Sequence, residues 1–515
     1  MKQQKAIRIP GAGYKNNAMI RRNHTVKINL PGGIVSAGDL FSIVTAAENA
    51  RVSDVQFGTR QQIILKVTDQ YIQQFTGALE LSEIQFEVNN DRFPNIVSSY
   101  VTENVFGNSS WLSEGVYKDI LDGFDYKPAL KINIVDRDQT FVPFFTGNIN
   151  FISSGTGNYW YLYIRFPKTT ILYRWKDLVY SQDIPRISKL IGEIIFSNKN
   201  LFYDQTVADG NVLYTMIQSK CHFVYGNIME DLRLPDFTLP YYEGFNRYDN
   251  KSWLGIYRRD EMFNVNFLKD ICMICMQTKV GQLYTTPWKS LIVKGIEHTD
   301  RKMWDYALGK YRINVRHASN ELNWQIEDNC EEGLNLKRYL IRQFDKDDVR
   351  TFGLCFAVKT QPKTGLFGSI IIRKRINESA NQRKNLDRYD ILYTKDFNPN
   401  SKDFIVFRKN LEKENLGVYL VSLCKYFYEL QSKEELIEHS GYPQETFHSN
   451  TTAPPPTKSF HCKHCFTVYD ARYGDEINRI PAGTIFADIE TSYECPTCNA
   501  PKDDFVQIEK IPLIV

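Results

Sequence analysis

The sequence predicts an α+β body in two related halves, followed by a small cysteine-rich domain. Three observations lead there. Two segments of the body share one strand–helix–strand pattern of apolar residues, a polar proline-rich stretch breaks the chain near residue 440, and two C-x2-C pairs follow it. At roughly 150 residues per domain, 515 residues give three or four domains. Hydrophobic residues make up 43% and charged residues 24%, ordinary globular usage that excludes disorder as the main state. A net charge of +3 is too balanced to point to nucleic acid or an anionic membrane. No run approaches the ~20 apolar residues of a membrane span. The start, MKQQKAIRIPGAG, is basic with no apolar run behind it, so no signal peptide is expected. The expected compartment is the cytoplasm, where ten cysteines point to metal or burial before disulfides.

The first unit opens with alternating Val26, Ile28 and Leu30, then turns at Pro31-Gly32-Gly33. A helix follows, with Leu40, Ile43, Val44 and Ala47 on one face, and a second alternating strand carries Ile63, Leu65 and Val67. The second unit, FNVNFLKDICMICMQTKVGQLYTTPWKSLIVKGI, repeats the helix and the strand pattern. Thr59-Arg60-Gln61 is set against Thr286-Pro287-Trp288, a match weak by identity but flanked by periodicities that agree. Two β-α-β units with more strands between them suggest ferredoxin-like halves, placed at residues 1–185 and 186–438.

Residues 439–459 include HSGYPQETFHSNTTAPPPTKS, which is polar and carries Pro454 to Pro456 in a row. Such a stretch buries little and is stiffened by its prolines, so it reads as a linker and hinge. From Phe460 to Val515 there are five Lys/Arg and nine Asp/Glu, a balance of −4 that leaves +7 on the rest.

The strongest chemical signal is Cys462 and Cys465, then 29 intervening residues, then Cys495 and Cys498. Two such pairs offer four thiolates to one ion, and a tetrahedral sulfur set selects iron or zinc. His461 and His464 are read as solvated, because four sulfurs already fill a tetrahedron.

Around these cysteines, residues 460–510 resemble rubredoxin. The resemblance includes Val468-Tyr469-Asp470, Gly474-Asp475, Asn478, Pro481-Ala-Gly483-Thr484, Phe486, Asp488-Ile489 and Lys502-Asp503-Asp504-Phe505. It implies a small sheet with Tyr469, Phe486, Tyr493 and Phe505 packed beneath one iron ion held by the four cysteines. Tyr493 stands where the family usually has tryptophan. Phe466 and Asn499 stand where it usually has glycine, which predicts a first knuckle of altered shape. A zinc ribbon is the structural alternative, although its pairs are usually closer in sequence.

Residues 20–430 resemble the assimilatory sulfite and nitrite reductases, which hold sirohaem coupled to a [4Fe-4S] cluster. The resembling pieces are Leu30-Pro31-Gly32-Gly33, Gly58-Thr59-Arg60-Gln61, Pro128-Ala-Leu-Lys131 with Gly147-Asn148-Ile149-Asn150-Phe151, Thr285-Thr286-Pro287-Trp288-Lys289, and Tyr389 onward. The resemblance makes Arg60 and Lys131 the cofactor-binding candidates, should sirohaem or an anion be bound. The family's cluster cysteines come as C-x5-C and C-x3-C. Here Cys330 is followed six residues on by Leu336, and Cys355 four residues on by Lys359. Cys272 and Cys275 read as buried helix residues. Ala129 and Pro94 stand at expected basic positions, and Arg165-Phe-Pro-Lys-Thr-Thr replaces a glycine-rich loop. Sirohaem and [4Fe-4S] are therefore not expected.

The expected function is single-electron transfer on a mononuclear Fe(Cys)4 centre. The reductase-like body is expected to dock a redox partner, a nitrite or sulfite reductase or a reductase donating electrons. Two alternatives stay open: an active sirohaem reductase with its own rubredoxin donor, and a zinc-ribbon binding module.

Overall fold

The computed structural model describes residues 23–106, 111–248, 250–317, 319–361, 365–375, 387–401, 403–438, 459–464, 468–471, 474–475, 478–481, 483–496 and 500–507. The chain divides into two compact units, residues 1–435 and 436–515. The segment 439–458, almost all of the expected linker, lies outside the described residues.

The first unit contains the strand–helix–strand pattern twice. Asn23 to Lys251, Ile34 to Met262, Ala37 to Val265, Asp54 to Gln282 and Ile63 to Leu291 are first residues of matching elements, each a step of 228 residues. The repeat extends to the helix caps. Ser36 accepts from the Asp39 amide at 2.9 Å, and its counterpart Asn264 accepts from the Asn266 and Phe267 amides at 3.0 and 3.3 Å. Each side chain satisfies amide donors that the first helical turn leaves open.

Helix Ala37–Asn49 buries Leu40, Ile43, Val44 and Ala47, and helix Val265–Gln277 buries Leu268, Ile271, Cys272 and Cys275 in the same places. The two cysteines are thus apolar-face residues, and burial pushes the Cys275 thiol up to about 12. The alternating residues Val26, Ile28, Leu30, Ile63, Leu65 and Val67 are all buried as expected.

The sequence did not show that the units trade strands. Ile34–Ser36 leaves its own unit and pairs antiparallel with Gln282–Thr285. Met262–Asn264 pairs reciprocally with Asp54–Phe57. One apolar core joins the two strand–helix–strand repeats. The alignment of the units also shifts by one residue: the step of 228 sets Arg60 opposite Trp288, not Pro287. The strands on either side fix that register, since Phe57 and Ile63 match Thr285 and Leu291.

A second pair of sheets is duplicated too. Val97–Ser98, Ile132–Val135, Ile149–Ser153, Tyr159–Arg165 and Leu178–Tyr180 pair parallel, parallel, antiparallel, antiparallel. Trp324–Ile326, Phe356–Lys359, Ile370–Lys374, Tyr389–Thr394 and Phe404–Leu411 follow the same order and senses.

The division expected at 185–186 cuts through one core. Helix Ile184–Ser197 buries Ile184, Ile187, Ile191, Ile194 and Ile195 against the first of these sheets, and Gly210–Lys220 joins it there. Strand Tyr225–Gly226 still pairs with Leu178–Val179. By its repeats, the first matched strand of the second half is Lys251–Ile256, the counterpart of Asn23–Ile28. The isoleucine spacing of the helix is what ties it backward in the chain.

In the second unit, Ser459–Cys462 is the central strand of a three-stranded sheet, antiparallel to Val468–Asp470 and Phe505–Gln507. Gly474 has φ of 69°, and a Cβ there would stand 2.3 Å from the Ile480 carbonyl oxygen, so the turn admits only glycine. Among the described residues, no helix is long and apolar enough to cross a membrane.

Candidate metal centre and a cation-lined cavity

Cys462 ends the central strand, opposite Phe505. Cys495 lies two residues after Tyr493 and donates its amide to the Ala500 carbonyl at 2.8 Å. Both side chains are fully buried in one core with Tyr469, Phe486, Tyr493 and Phe505. Phe486 is the hub of that core: its ring lies 4.3 Å from Phe460, 5.4 Å from Tyr469 and 5.3 Å from Phe505. Tyr493 donates to Asp475 Oδ2 at 2.9 Å, and burial raises its phenol above the ordinary range. Cys465, Cys498, Phe466 and Asn499 lie outside the described residues. His464 is exposed and sits 3.0 Å from Asp504, in keeping with a surface role. The donor chemistry fits one iron: two thiols are buried together in an apolar core, while Lys463 and His464 beside the first face solvent.

A cavity of about 340 Å³ lies in the body, lined by Thr59, Arg60, Asn95, Lys131, Asp328 and others from both halves. The turn 58–62 presents Arg60, whose guanidinium donates to the carbonyls of Asn95 at 2.7 Å and Ile132 at 2.9 Å and to Asn133 Oδ1 at 3.2 Å. Burial, reinforced by Arg165, lowers its pKa to about 9. Lys131 is held down to about 8 by burial first, then by Arg60 and Arg165. Among the described residues its ammonium has no hydrogen-bond or ion-pair partner. The structure thus brings the two sequence candidates together.

Three further residues shape this place and were missed as site residues. Arg165 donates to the Thr146 carbonyl at 2.8 Å, and burial lowers its pKa. Asn95 supplies the carbonyl that holds Arg60. Asp328 accepts from the Thr59 amide at 2.9 Å, and burial raises its pKa against the pull of Lys289. Arg165 did carry a sequence signal, as the charged last residue of an apolar strand. Asp328 carried none, because it reaches the site only through the packing of the second half on the first.

The remaining cysteines are spread apart. Cys330 caps helix Glu331–Lys346, accepting from the Gly333 amide at 3.3 Å, and lies 3.3 Å from Thr360 Oγ1. Cys355 is buried at the other end of strand Phe356–Lys359, where its sulfur accepts from the Ser369 amide at 3.3 Å. Thr360 and Cys355 are five residues of extended chain apart, about 16 Å at ~3.3 Å per residue. One cubane cannot take both thiols, so this pair does not fit a four-thiolate cluster.

The rubredoxin family model matches residues 459–505. The rubredoxin of Megasphaera elsdenii is 44% identical over 50 residues, 10% of this chain and 94% of that protein. The probable rubredoxin HupI of Bradyrhizobium diazoefficiens is 46% identical over 48 residues, 9% of this chain and 70% of that protein. The structure of the NirA protein of Mycobacterium tuberculosis aligns with a TM-score of 0.59 at 12% identity, covering 78% of this chain and 80% of that one. That likeness is one of fold, and it bears out the reductase-like architecture expected for the body.

Proposed function

From the premise that the chain belongs to the rubredoxin family through its C-terminal domain, we propose that it carries single electrons on one iron bound by Cys462, Cys465, Cys495 and Cys498, and that its body docks a redox partner. The observation that carries this reading is the burial of Cys462 and Cys495 in a single aromatic core. Bound iron supplies one reversible electron with little change of geometry and no open coordination position. The chain's own residues do the rest. The aromatic core keeps water from the sulfurs of Cys462 and Cys495, and the 2.8 Å bond from the Cys495 amide to the Ala500 carbonyl holds the Cys495 backbone in place. The partner is a protein that takes or gives one electron, a nitrite or sulfite reductase or a reductase that donates to this domain. The separation of Cys330 from Cys355 supports a body without a cluster of its own.

A second reading is favoured by one observation. In a nitrite/sulfite reductase-like fold, Lys131 faces a cavity beside Arg60 and Arg165 without an acid bound to it. That arrangement suits an anion and supports an active reductase. A visible spectrum with iron analysis separates the two. Ferric-thiolate bands and about one iron per chain support the carrier, since one S₄ site holds one ion. Sirohaem bands with about six irons per chain, one in the S₄ site, one in the sirohaem and four in a cubane, overturn it.

A further inference from the structure

Tyr493 and Glu494 immediately precede Cys495, and both are tied to one turn of the metal domain. The Tyr493 hydroxyl donates to Asp475 Oδ2 at 2.9 Å, and Asn478 Nδ2 donates to the Glu494 carbonyl at 3.0 Å. Asn478 closes the set on Asp475, with Nδ2 donating to Oδ2 at 2.9 Å and its amide to Oδ1 at 3.2 Å. A carboxylate only accepts, and three donors converge on this one. Bonds to a charged acceptor are about twice as strong as neutral ones.

Asp475 is itself held by backbone. Its amide donates to the Ile480 carbonyl at 2.9 Å, and the Ile480 amide returns the bond at 2.8 Å. Asp475 is half-buried, whereas Tyr493 is 6% exposed, with its ring 5.6 Å from Phe505 and 6.1 Å from Tyr469. The carboxylate thus meets, through the polar end of one phenol, the core that buries Cys462 and Cys495. Burial first, then Asp475, then Cys495 raise the phenol's pKa, so it stays a donor.

We propose that Asp475 is a positioning residue for the iron centre: through Tyr493 and Asn478 it sets the chain leading into Cys495, and its charge makes the centre harder to reduce. The inference rests on the iron reading given above. Reduction takes ferric to ferrous iron with one electron, and no bond or proton changes hands. That electron adds a negative charge, which a fixed carboxylate nearby repels. Net charge and hydrogen bonds around the sulfurs set the potential of such centres.

The test is a spectroelectrochemical titration of the full-length, iron-loaded protein at one pH and ionic strength. Asp475→Asn keeps an acceptor for Tyr493 and removes the charge. It should raise the midpoint potential, favouring reduction at least about threefold. Asp488→Asn, at an exposed carboxylate of the same domain, should leave the potential in place. Tyr493→Phe keeps ring and carboxylate but cuts the tether, and should release iron to a chelator about tenfold faster. An unmoved potential in a coloured Asp475→Asn protein, an equal shift in Asp488→Asn, or native iron release in Tyr493→Phe overturns the proposal and leaves the iron reading standing. Native protein without ferric-thiolate bands overturns both. Should Asp475→Asn lose its colour, iron release from Tyr493→Phe decides alone.

Discussion

Gln61 and Lys289 occupy the same point in two copies of one turn, 228 residues apart, and both have positive φ, 61° and 54°. The surrounding backbone bonds coincide as well. Gly58 N donates to Gln62 O at 2.8 Å and Gln61 N to Gly58 O at 2.9 Å; Thr286 N donates to Ser290 O and Lys289 N to Thr286 O, both at 3.1 Å. What differs is the chemistry carried on that frame. Gln61 donates to the Ser98 and Thr285 carbonyls, whereas Lys289 is buried against Glu261 at 2.6 Å. One residue earlier, Arg60 faces a cavity while Trp288 donates to the Phe141 carbonyl in the core. The duplication preserved a turn and set its cation at different points in the two copies, Arg60 towards a cavity in one and Lys289 against Glu261 in the other.

Lys289 and Glu261 are each 4% exposed. Burial opposes the Lys289 charge, but Glu261 and Asp328 outweigh it and raise its pKa. Lys289→Met should destabilise the body by about 3–5 kcal/mol, because a buried carboxylate loses its closest partner. Urea unfolding at neutral pH measures this, and a loss under 1 kcal/mol would contradict the pairing.

The metal proposal predicts that Cys495→Ser bleaches the thiolate-to-iron absorption, since the sulfur cage loses one of its donors. The spectrum of the purified variant is the readout. Intact bands would remove Cys495 from the ligand set.

Gly474→Ala should unfold the metal domain at lower temperature, by an equivalent of roughly 1–3 kcal/mol, because alanine must hold a left-handed backbone against a carbonyl. Loss of visible colour on heating follows it. A melting profile equal to that of the native protein would show that the turn can relax.

Lys131 has a pKa of about 8 in the folded chain against an ordinary value of 10.5. The unfolded chain therefore binds more protons between these values, and this residue makes stability rise as pH climbs through that window. Below pH 8 both states are protonated, so its pH dependence vanishes there. Lys131→Met should remove this contribution, so the stability difference between variant and native protein should shrink from pH 8 to pH 10.5. A difference independent of pH would refute the burial of an unpaired ammonium.

The −4 balance of residues 460–515 predicts that electron transfer to a partner slows as salt rises. Exposed charges are screened over ~8 Å at physiological ionic strength. Stopped-flow rates across a salt series give the answer; a flat profile would make the charge split incidental.

The sequence by itself determined whatever depends on local spacing. The apolar period of Leu40, Ile43, Val44 and Ala47 makes one buried helix face wherever it occurs, and the same period explains Cys272 and Cys275 without a ligand. The two C-x2-C pairs and the motif around Gly474 name a metal domain because each residue's role is set within a few positions of chain. Tertiary structure alone decided how distant segments meet. Ile34–Ser36 and Met262–Asn264 read as continuations of their own units, yet each pairs in the other's sheet, since backbone edges bond without regard to sequence distance. Asp328 came to the Arg60–Lys131 cavity in the same way. Its charge is ordinary on paper, and only the packing of the second half on the first removes the water that would have kept it so.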